Sequence, residues 1–524
     1  MYHSSDNAAN HTDNTAANEK LNGAINAVIN TMELDSNLSA KALQLNNAAT
    51  PESVFSTLSD QPWAMWLDSG NSDHVDSRFD ILVWQPIATL TTQQNVTKLC
   101  FLATKDTKKV NLSSNDDPLS LVKNLQEKLF NTAQKSHDFL PFLGGALGYF
   151  SYDLGRRFEQ LPSIAKQDIN LPEMAIGLYN KAVIFDNRSA SFYLVCADSE
   201  REQFETSLTK ATISASVTRD ASSTFILTST WQANMDKASY IEKFNTVQNY
   251  LLSGDCYQIN LAQRFSAQYQ GDEFNAYLAL KTANKAPFSA FIRLEHGAIL
   301  SLSPERFIQL SQGKVQSKPI KGTMPRSDNK IQDANNAEIL KHSTKDNAEN
   351  LMIVDLLRND LSKSCQPGSV KVPKLFDIES FPAVHHLVST VEGVLANNKH
   401  ATDLLRGAFP GGSITGAPKI RAMEIIEQLE PHRRSIYCGS IGYISNCGAM
   451  DTSITIRTLI CQPNTPSTSS IPNTCASTDI ETGNTIHCWA GGGLVADSTA
   501  LSEYQETFDK VNCILPVLSR LNQV

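Results

Sequence analysis

A carboxylate and a lysine are predicted to meet at the open end of one β-hairpin. Residues 298–310 favour a strand, residues 311–314 a turn and residues 315–320 the return strand. A turn centred near residue 312 puts position 305 opposite position 320, so Glu305 and Lys321 become neighbours about 5–8 Å apart. A partly neutral lysine is a nucleophile, and an adjacent carboxylate can move its proton. A surface salt bridge is the alternative, and the spacing alone favours it.

A glycine-rich turn over Pro410–Pro418 leads into a predicted helix. The apolar face of this helix comprises Ile420, Met423, Ile426 and Leu429. Pro418 suits the first helical turn, and glycines let backbone N–H groups approach a ligand. Helix N-termini favour anions, and no Gly-Lys-Ser/Thr follows, so a carboxylate is a better candidate ligand than a nucleotide phosphate. A tight loop without a ligand is the alternative, because such turns are common.

Three glutamates lie on two predicted helices. Glu349 is near the start of a helical pattern over 349–360, and Glu503 and Glu506 share one helix face because they are three residues apart. Carboxylates that converge with retained waters suit a hard divalent cation such as Mg2+. An ordinary solvated helix face is the alternative for each glutamate taken singly.

Two further polar groups could contact an anionic substrate. Residues 450–460 alternate like a single strand, with Arg457 on its polar face. A guanidinium in that position can fork onto a carboxylate. The adjacent His385 and His386 supply a candidate acid or base, although a packed polar residue is the commoner role of such a histidine.

Strands dominate the first part of the chain and longer helices the second. Alternation predicts strands at 79–84, 182–185 and 290–294, whereas residues 240–251 and 504–518 carry apolar positions at helical spacing. The strands are not regularly interleaved with helices, which disfavours a doubly wound parallel sheet. The sequence therefore predicts an α+β fold.

The bulk composition excludes several classes of protein. The 524 residues are 41% hydrophobic, which is enough for a large core, and their net charge of −9 without a basic stripe argues against nucleic acid as a partner. No long apolar run or N-terminal signal predicts a membrane span or secretion. The ten cysteines are scattered without a Cys-x-x-Cys pair, so we expect free thiols in a reducing cytoplasm and no zinc site.

Two segments of biased composition stand apart from the globular pattern. Residues 1–50 are rich in Asn, Ala, Ser and Thr, so we expect a largely disordered extension with at most a weak helix over 21–32. Residues 462–484 predict an extended surface loop between two strands. The remainder, 51–524, is expected to form one catalytic region. Its N-terminal part and its core part are 51–230 and 231–524.

Taken together and in this order, the motifs resemble those of the chorismate-utilising enzyme family. The resemblance runs from about Pro51 to the C-terminus, and the number of matched segments makes it specific. The matched segments are 253–265, Ser303–Phe307, Pro319–Thr323, the Glu349 helix, His385–Thr390, 410–419 and Tyr504–Lys510. The N-terminal extension and the 462–484 segment lie outside the pattern.

The resemblance implies two antiparallel sheets packed face to face, with helices outside and the active site between the sheets. It implies that Glu349 and Glu506 hold Mg2+, with Glu503 beside them. Glu305 would be the general acid and base toward the C4 hydroxyl of chorismate. The groups that the resemblance places on the substrate are Gly412, Gly416, His386, Thr415 and Arg457.

Two positions separate the branches of the family. Lys321 stands where anthranilate synthases have alanine. In the branch that aminates chorismate at C4, its amine attacks the ring at C2, expels the C4 hydroxyl and is displaced by ammonia. Gln258 stands where isochorismate- and salicylate-forming relatives have a lysine that activates water. Both positions imply conversion of chorismate and ammonia to 4-amino-4-deoxychorismate, on the route to p-aminobenzoate and folate.

Partners follow from the same resemblance. No glutaminase domain is recognisable in the sequence, so a separate glutamine amidotransferase subunit is expected to supply ammonia. One set of residues resembles a tryptophan pocket of the family, with ordinary core residues as an equal alternative: Ser69, Asp76, Ser77, Arg78, Phe79, Pro287, Phe288 and Ser289. The competing functions are anthranilate synthase component I and a non-catalytic chorismate- or tryptophan-binding partner of the glutaminase.

Overall fold

The computed structural model describes most of the chain, and the structural statements below concern those residues. The described ranges are 19–32, 34–46, 48–72, 74–102, 109–130, 139–215, 224–381, 384–463 and 483–521. They form two large antiparallel sheets with helices around them, which confirms the predicted α+β class.

The first sheet contains 13 strands, in the order β1-β10-β9-β3-β2-β14-β15-β24-β25-β13-β11, with β12 and β21 also paired to β13. Its strands are β1 Leu38–Leu43, β2 Met65–Asp68, β3 Phe79–Val83, β9 Ala182–Asp186, β10 Ser191–Ala197, β11 Ile226–Leu227, β12 Gln232–Ala233, β13 Gln258–Gln270, β14 Phe288–Leu294, β15 Gly297–Ser303, β21 Gly416–Ala417, β24 Thr458–Pro463 and β25 Asn484–Leu494. Strands from the first part of the chain form one side of it (β1, β10, β9, β3 and β2), and strands from the second part form most of the other (β14, β15, β24, β25 and β13).

The second sheet contains 12 strands, in the order β18-β20-β17-β16-β23-β22-β7-β8-β4-β5-β6, with β19 paired to β20. Its strands are β4 Ala88–Gln93, β5 Val96–Phe101, β6 Val110–Ser114, β7 Gly145–Phe150, β8 Met174–Tyr179, β16 Arg306–Ser311, β17 Lys314–Ser317, β18 Ile320–Pro325, β19 Lys371–Ser380, β20 Val384–Val394, β22 Ser440–Ser445 and β23 Met450–Ile454. Both parts of the chain also share this sheet, so neither part folds around a sheet of its own.

The helices lie outside the sheets and between consecutive strands. They are α1 19–29, α2 Pro51–Phe55, α3 Pro118–Leu129, α4 Arg201–Ala215, α5 Lys237–Leu252, α6 Glu273–Asn284, α7 Lys330–Lys341, α8 Thr344–Ser362, α9 Ala401–Ala408, α10 Lys419–Leu429, α11 Ala500–Val511 and α12 Leu515–Arg520. Short 3₁₀ turns cover Tyr152–Arg157 and Gly412–Ile414. The predicted helix over 240–251 is confirmed as α5, whose buried face carries Tyr240, Phe244 and Val247.

Alternate residues of the strands face different cores. Met65 and Ile292 of the first sheet join Leu147 of the second in one apolar cluster, so the two sheets pack face to face there. Trp66 and Phe291, their neighbours in sequence, point the other way and pack beneath α2 and α6. This division follows from the two-residue period of a strand, and it confirms the predicted strands that became β3, β9 and β14.

The predicted single helix over 504–518 is wrong. Helix α11 ends at Val511, and α12 begins at Leu515. Pro516 lies in the first turn of α12. Proline has no N–H to donate and its ring clashes with the preceding turn. The helix therefore breaks before Pro516, although the apolar residues keep a helical spacing across the break.

The predicted single strand over 450–460 is also wrong. Strand β23 ends at Ile454 in the second sheet, and β24 begins at Thr458 in the first. Arg457 has a left-handed φ of 52° at the crossing, and its carbonyl accepts a hydrogen bond from the Leu302 amide. Arg457 therefore lies where the chain passes between the sheets, not on the polar face of one strand.

The expectation that residues 1–50 form a largely disordered extension is wrong for the later part of that range. Residues 1–18 lie outside the described residues, but α1 buries Ile25 and β1 pairs with β10 from Leu38 to Leu43. Asn22 and Asn26 accept hydrogen bonds from Asn124 and Lys128 of α3. The edge strand was not predicted, because few charges and repeated Asn and Ala suggested disorder, whereas the helix expected over 21–32 is present as α1.

Most of the predicted surface loop over 462–484 lies outside the described part of the chain. Residues 464–482 lie outside the described residues, whereas Pro463 and Asn484 face each other as the last pair of β24 and β25. The segment therefore joins two antiparallel partners. Among the described helices, none is both long and apolar enough to cross a bilayer.

Candidate active site

The hairpin that was predicted to join Glu305 and Lys321 has the expected register. Strands β16 and β17 pair Gln309 with Gln316 and Ser311 with Lys314, so the same register places position 305 opposite position 320. The backbone amide of Ile320 bonds to the Glu305 carboxylate. Glu305 is 5% exposed, so this end of the hairpin is not a surface salt bridge.

The Glu305 carboxyl lies in a mostly desolvated position. The Ser413 hydroxyl donates a hydrogen bond to its Oε1 at 3.1 Å. Burial raises the pKa of Glu305 to about 7, and Lys321, the Ser413 hydroxyl and the Ile320 amide oppose that rise. A carboxyl that titrates near neutrality can both give and accept a proton, which is the property of a general acid and base.

The Lys321 amine is shifted in the opposite direction. Burial lowers the pKa of Lys321, the Glu349 carboxylate opposes the shift, and the Lys510 ammonium adds to it. A lower pKa increases the neutral fraction of the amine, and only the neutral amine is a nucleophile. The structure therefore pairs a carboxyl that retains its proton with an amine that can lose one.

Gln258 shares the space beside Lys321. Gln258 begins β13 and is 1% exposed, and neither atom of its amide has a hydrogen-bond partner among the described residues. A Cβ on Gly493 of β25 would lie 2.3 Å from Gln258 Nε2 and 3.6 Å from Lys321 Nζ. Glycine at 493 therefore leaves the room in which the amide and the amine approach each other.

Two of the predicted metal ligands converge above the same glycine strand. A Cβ on Gly492 would lie 2.9 Å from Glu503 Oε2 and 3.2 Å from Glu506 Oε1. Lys345 Nζ lies 3.8 Å from Glu503 Oε1 and 4.0 Å from Glu349 Oε1. The structure thus brings Glu349 toward the C-terminal pair, although α8 begins at Thr344, earlier than the predicted start.

The burial and mutual repulsion of these glutamates are compatible with a bound cation. Burial raises the pKa of Glu349 and of Glu503, and Glu506 adds to the shift of Glu503. Glu503 Oε2 is buried without a hydrogen-bond partner in the described part of the chain. Within that part, no group of three or more Asp, Glu, His or Cys side chains is arranged so that it could hold a metal ion. Oxygen donors with one orphaned atom fit a hard cation better than a transition metal.

The glycine-rich turn lies directly on β13. Gly416 and Ala417 pair with Ile259 and Gln258, and a Cβ on Gly416 would lie 2.1 Å from the Gln258 carbonyl. Only glycine permits this approach, at a φ of 141°. Gly412 opens the 3₁₀ turn, and the buried Thr415 hydroxyl donates to the Gly411 carbonyl at 3.1 Å.

The helix after this turn differs from its prediction in two details. Helix α10 begins at Lys419, so Pro418 is its N-cap and not a residue of its first turn. Ile420 is 44% exposed, whereas Met423 and Ile426 are buried. The buried apolar face is therefore shifted around the helix from the predicted one: it includes Ala422 and Ile425 but not Ile420.

His386 and Arg457 face the site from the second sheet and from the crossing between sheets. The Thr323 hydroxyl hydrogen bonds with His386 Nδ1 at 2.9 Å. Burial and the nearby Arg457 guanidinium lower the pKa of His386 to about 4, so its imidazole is neutral at pH 7. His385 instead bonds to Ser380 and Asp333, away from this pair. Of the two adjacent histidines, His386 is the one placed for a ligand.

A cavity of about 390 Å³ lies beside the hairpin. Seven of the eight residues predicted for a tryptophan pocket line it, namely Ser69, Asp76, Arg78, Phe79, Pro287, Phe288 and Ser289. Ser77 does not line it, because its hydroxyl turns to the Ser72 hydroxyl at 2.7 Å. The sequence therefore located a real cavity, and one of its eight predicted residues points elsewhere.

Sequence reasoning missed several residues of the site. Ser413 and Lys510 lie inside motifs that were recognised but received no role, and the Glu506–Lys510 spacing of one helical turn was a usable signal. Lys345 precedes Glu349 by the same spacing. Gly493 and Arg434 act through contacts between distant segments, which no local pattern indicates.

Comparison with known proteins agrees with this geometry. A family model described as chorismate binding enzyme matches residues 64–516. The chain belongs to this family. Aminodeoxychorismate synthase component 1 of Klebsiella aerogenes is 54% identical to it over 464 residues, which cover 88% of this chain and 95% of that protein. The Escherichia coli K12 protein of the same name is 52% identical over 477 residues, covering 90% and 96%.

More distant relatives of this chorismate-binding enzyme carry other names. Anthranilate synthase component 1 of Thermus thermophilus is 34% identical over 401 residues, covering 76% of this chain and 82% of that protein. The crystal structure of anthranilate synthase component I from Streptococcus pneumoniae matches with a TM-score of 0.69 at 29% identity, covering 84% and 93%. The menaquinone-specific isochorismate synthase MenF of Escherichia coli shares the fold, with a TM-score of 0.63 at 16% identity, covering 95% and 99%. The expected two-sheet fold is confirmed.

The raised pKa of Glu305 predicts a pH-dependent contribution to stability. A carboxyl with a folded pKa of about 7 in place of 4.5 stabilises the fold most below pH 4.5, and this stabilisation is lost as the pH rises through 7. As the pH rises, the parent should lose about 3 kcal/mol from its free energy of unfolding, and Glu305→Gln should not show this loss. Urea unfolding at about pH 5 and about pH 8 measures it. Identical pH slopes in the variant and the parent would contradict the shift, and Glu424→Gln, at a partly exposed carboxylate of α10, serves as control.

The close approach at Gly493 predicts a specific overpacking. Gly493→Ala should destabilise the fold by about 1–3 kcal/mol, because the new Cβ would lie 2.3 Å from the Gln258 amide. Adding Gln258→Ser should restore most of that loss in the free energy of unfolding. Gly23→Ala is the control, since nothing lies within 4 Å of a Cβ at that position. A double variant no more stable than Gly493→Ala would show that the strain lies elsewhere.

Proposed function

We propose that this chain is the chorismate-binding component of an aminodeoxychorismate synthase, which converts chorismate and ammonia to 4-amino-4-deoxychorismate. The observation that carries the proposal is the desolvated Lys321 amine beside Gln258 and across the hairpin from Glu305. Relatives with this name at 52–54% identity support it over relatives named anthranilate synthase at 34%.

Lys321 acts as the nucleophile in the proposed reaction. Its neutral amine forms a bond to C2 of chorismate, the ring double bonds shift, and the C4–oxygen bond breaks. Glu305 gives its proton to the departing C4 hydroxyl, which leaves as water, and then accepts the proton that the new ammonium at C2 releases. Ammonia forms the bond to C4, the ring double bonds shift back and the C2–nitrogen bond breaks. Glu305 gives its proton to the departing lysine nitrogen and takes one from the new ammonium at C4, so both side chains return to their starting forms. The sum is chorismate plus ammonia giving the 4-amino product plus water.

Gln258 supports amination over hydration. A carboxamide does not take a proton from water near neutral pH, so the group beside Lys321 offers no base to activate water. Its buried amide has both an unpaired donor and an unpaired acceptor. We propose that those atoms hydrogen bond to the substrate or to the incoming ammonia, both of which can satisfy them.

The carboxylates of chorismate are held by groups around this centre in the proposal. Arg457 offers a guanidinium fork, and the neutral His386 offers Nε2, since its Nδ1 is engaged by Thr323. Thr415 and the backbone of the turn that contains Gly412 and Gly416 supply uncharged donors.

We propose Mg2+ as the metal, held by Glu349, Glu503 and Glu506 with retained waters. When bound, it supplies positive charge to a substrate carboxylate. The raised pKa of Glu349 and of Glu503 and the orphaned Glu503 Oε2 support the site. Lys345 and Lys510 lie against these carboxylates, and the cation would compete with them.

The remaining partners are proposals with narrower support. Ammonia would come from a separate glutaminase subunit, as the component 1 names of the relatives imply, and free ammonia would replace it in vitro. Tryptophan would occupy the 390 Å³ cavity, where Asp76 could face its ammonium and Phe288 its indole ring. Free thiols at all nine described cysteines suit a cytoplasmic enzyme.

The lysine mechanism predicts a trapped adduct. Without ammonia, the protein mixed with chorismate should gain the mass of one chorismate less one water, and Lys321→Ala should not. The exposed Lys314 of the same hairpin supplies the control, because Lys314→Ala should form the adduct normally. Intact-mass spectrometry measures all three proteins. An adduct that survives in Lys321→Ala would remove the covalent mechanism.

With saturating ammonia and Mg2+, the product decides between functions. The proposal expects 4-amino-4-deoxychorismate, and Lys321→Ala should lose most of this activity. Anthranilate as the product would identify the alternative branch of the family. A protein that binds chorismate without consuming it would fit the non-catalytic alternative.

The metal site predicts a binding defect that does not depend on activity. Glu503→Gln should weaken Mg2+ binding at least about tenfold, because it removes one charged oxygen ligand. Isothermal titration with Mg2+ alone measures the change. Glu424→Gln, which alters a partly exposed carboxylate on α10, should bind Mg2+ as the parent does. Equal affinity in Glu503→Gln would exclude this residue from the site.

A further inference from the structure

Arg434 is a buried guanidinium at the back of the glycine-rich turn. It is 1% exposed. Its Nε donates to Glu430 Oε2 at 2.9 Å, and its Nη2 donates to Glu430 Oε1 at 2.6 Å. The rings of Tyr152 and Tyr437 lie 4.9 Å and 5.6 Å from the guanidinium carbon. The ion pair is therefore closed off from solvent.

The remaining donors of Arg434 bind two backbone carbonyls on different segments. Nη1 donates to the Ile414 carbonyl at 3.0 Å, and Nη2 donates to the Asn260 carbonyl at 2.6 Å. Glu430 Oε1 also accepts the Ala262 amide at 2.9 Å. The pair thus binds β13 at two points and the turn at one. A planar fork can span these acceptors, whereas a lysine ammonium is a single point charge.

Ile414 is the link between Arg434 and the chemistry. The residue before it, Ser413, donates its hydroxyl to the Glu305 carboxylate at 3.1 Å. The residue after it, Thr415, accepts the Asn260 amide on its carbonyl at 2.9 Å. Fixing the Ile414 carbonyl therefore restrains both neighbours at once.

We propose that Arg434 is a positioning residue for the amination: it holds the Ile414 carbonyl against β13 so that Ser413 stays hydrogen bonded to Glu305. The inference rests on the proposed function. Arg434 itself touches no reacting atom, and its effect passes through the turn. Its charge is matched by Glu430, so its removal would leave a buried carboxylate unpaired.

The test uses Arg434→Lys, which retains the charge beside Glu430 but cannot reach both carbonyls. Amide hydrogen exchange of the apo protein should speed up in the turn over 412–417 and stay unchanged in β16. kcat should fall about 10- to 100-fold with KM changed much less, because the misplacement affects the proton donor more than substrate binding. Arg421→Lys, on the exposed face of α10, should change neither.

A double-variant series separates positioning from general destabilisation. Ser413→Ala removes the hydroxyl at the end of the proposed chain, so it should move the alkaline limb of the kcat profile up by about half to one pH unit. Arg434→Lys should move it in the same direction, and the two substitutions together should move it no further. The charged groups and thiol that also act on Glu305, namely Lys321, Lys510 and Cys438, are unchanged throughout.

Each result decides the inference. Additive shifts, an unmoved limb in either single variant, or unchanged exchange in the turn of Arg434→Lys would overturn it. If Arg434→Lys does not fold, Ser413→Ala still tests whether the turn acts on Glu305, and an unmoved limb there overturns it. A parent protein that never aminates chorismate would instead remove the proposed function, while the exchange result would still report on the turn.

Discussion

The site depends on keeping water away from one carboxyl and one amine. In water, Glu305 and Lys321 would be a charged pair, whereas burial raises the pKa of the first to about 7 and lowers that of the second. The two shifts favour the neutral forms together, which are the forms that acid catalysis and nucleophilic attack require. The hairpin, the turn at Ser413 and the glycines of β25 can each be understood as parts of the enclosure that maintains this state.

Enclosing these groups requires glycine at several positions, because a side chain there would collide with its neighbours. Gly416 presses against the Gln258 carbonyl, Gly492 leaves space for Glu503 and Glu506, and Gly493 leaves space for Gln258 and Lys321. Main chain therefore forms part of the enclosure, and main chain has fixed donors and no rotamers to reorganise. A preorganised polar wall of this kind stabilises developing charge without the reorientation that water would need.

The sequence predicted what local geometry determines and failed where distant segments decide. The hairpin register followed from its turn, and the Glu503–Glu506 face followed from helical spacing. The prediction put Arg457 on the polar face of one strand, because the polar alternation continues where the chain passes from one sheet to the other. The helix break before Pro516 was hidden by continued apolar spacing. Roles for many site residues came from resemblance, since spacing alone favoured a surface salt bridge for Lys321.

Charges outside the site fix the hairpin that carries the reacting pair. Successive strand residues point to opposite faces, so Arg306 turns away from Glu305 and donates to Asp76 at 2.8 Å. Lys318, directly after the return strand β17, lies 3.4 Å from the same carboxylate. One aspartate on the cavity side therefore ties both strands at the end where Glu305 and Lys321 meet. Breaking an ion pair of this kind destabilises a protein strongly, because it leaves a desolvated carboxylate unpaired. The pairs beside the cavity therefore also restrain the register of the hairpin.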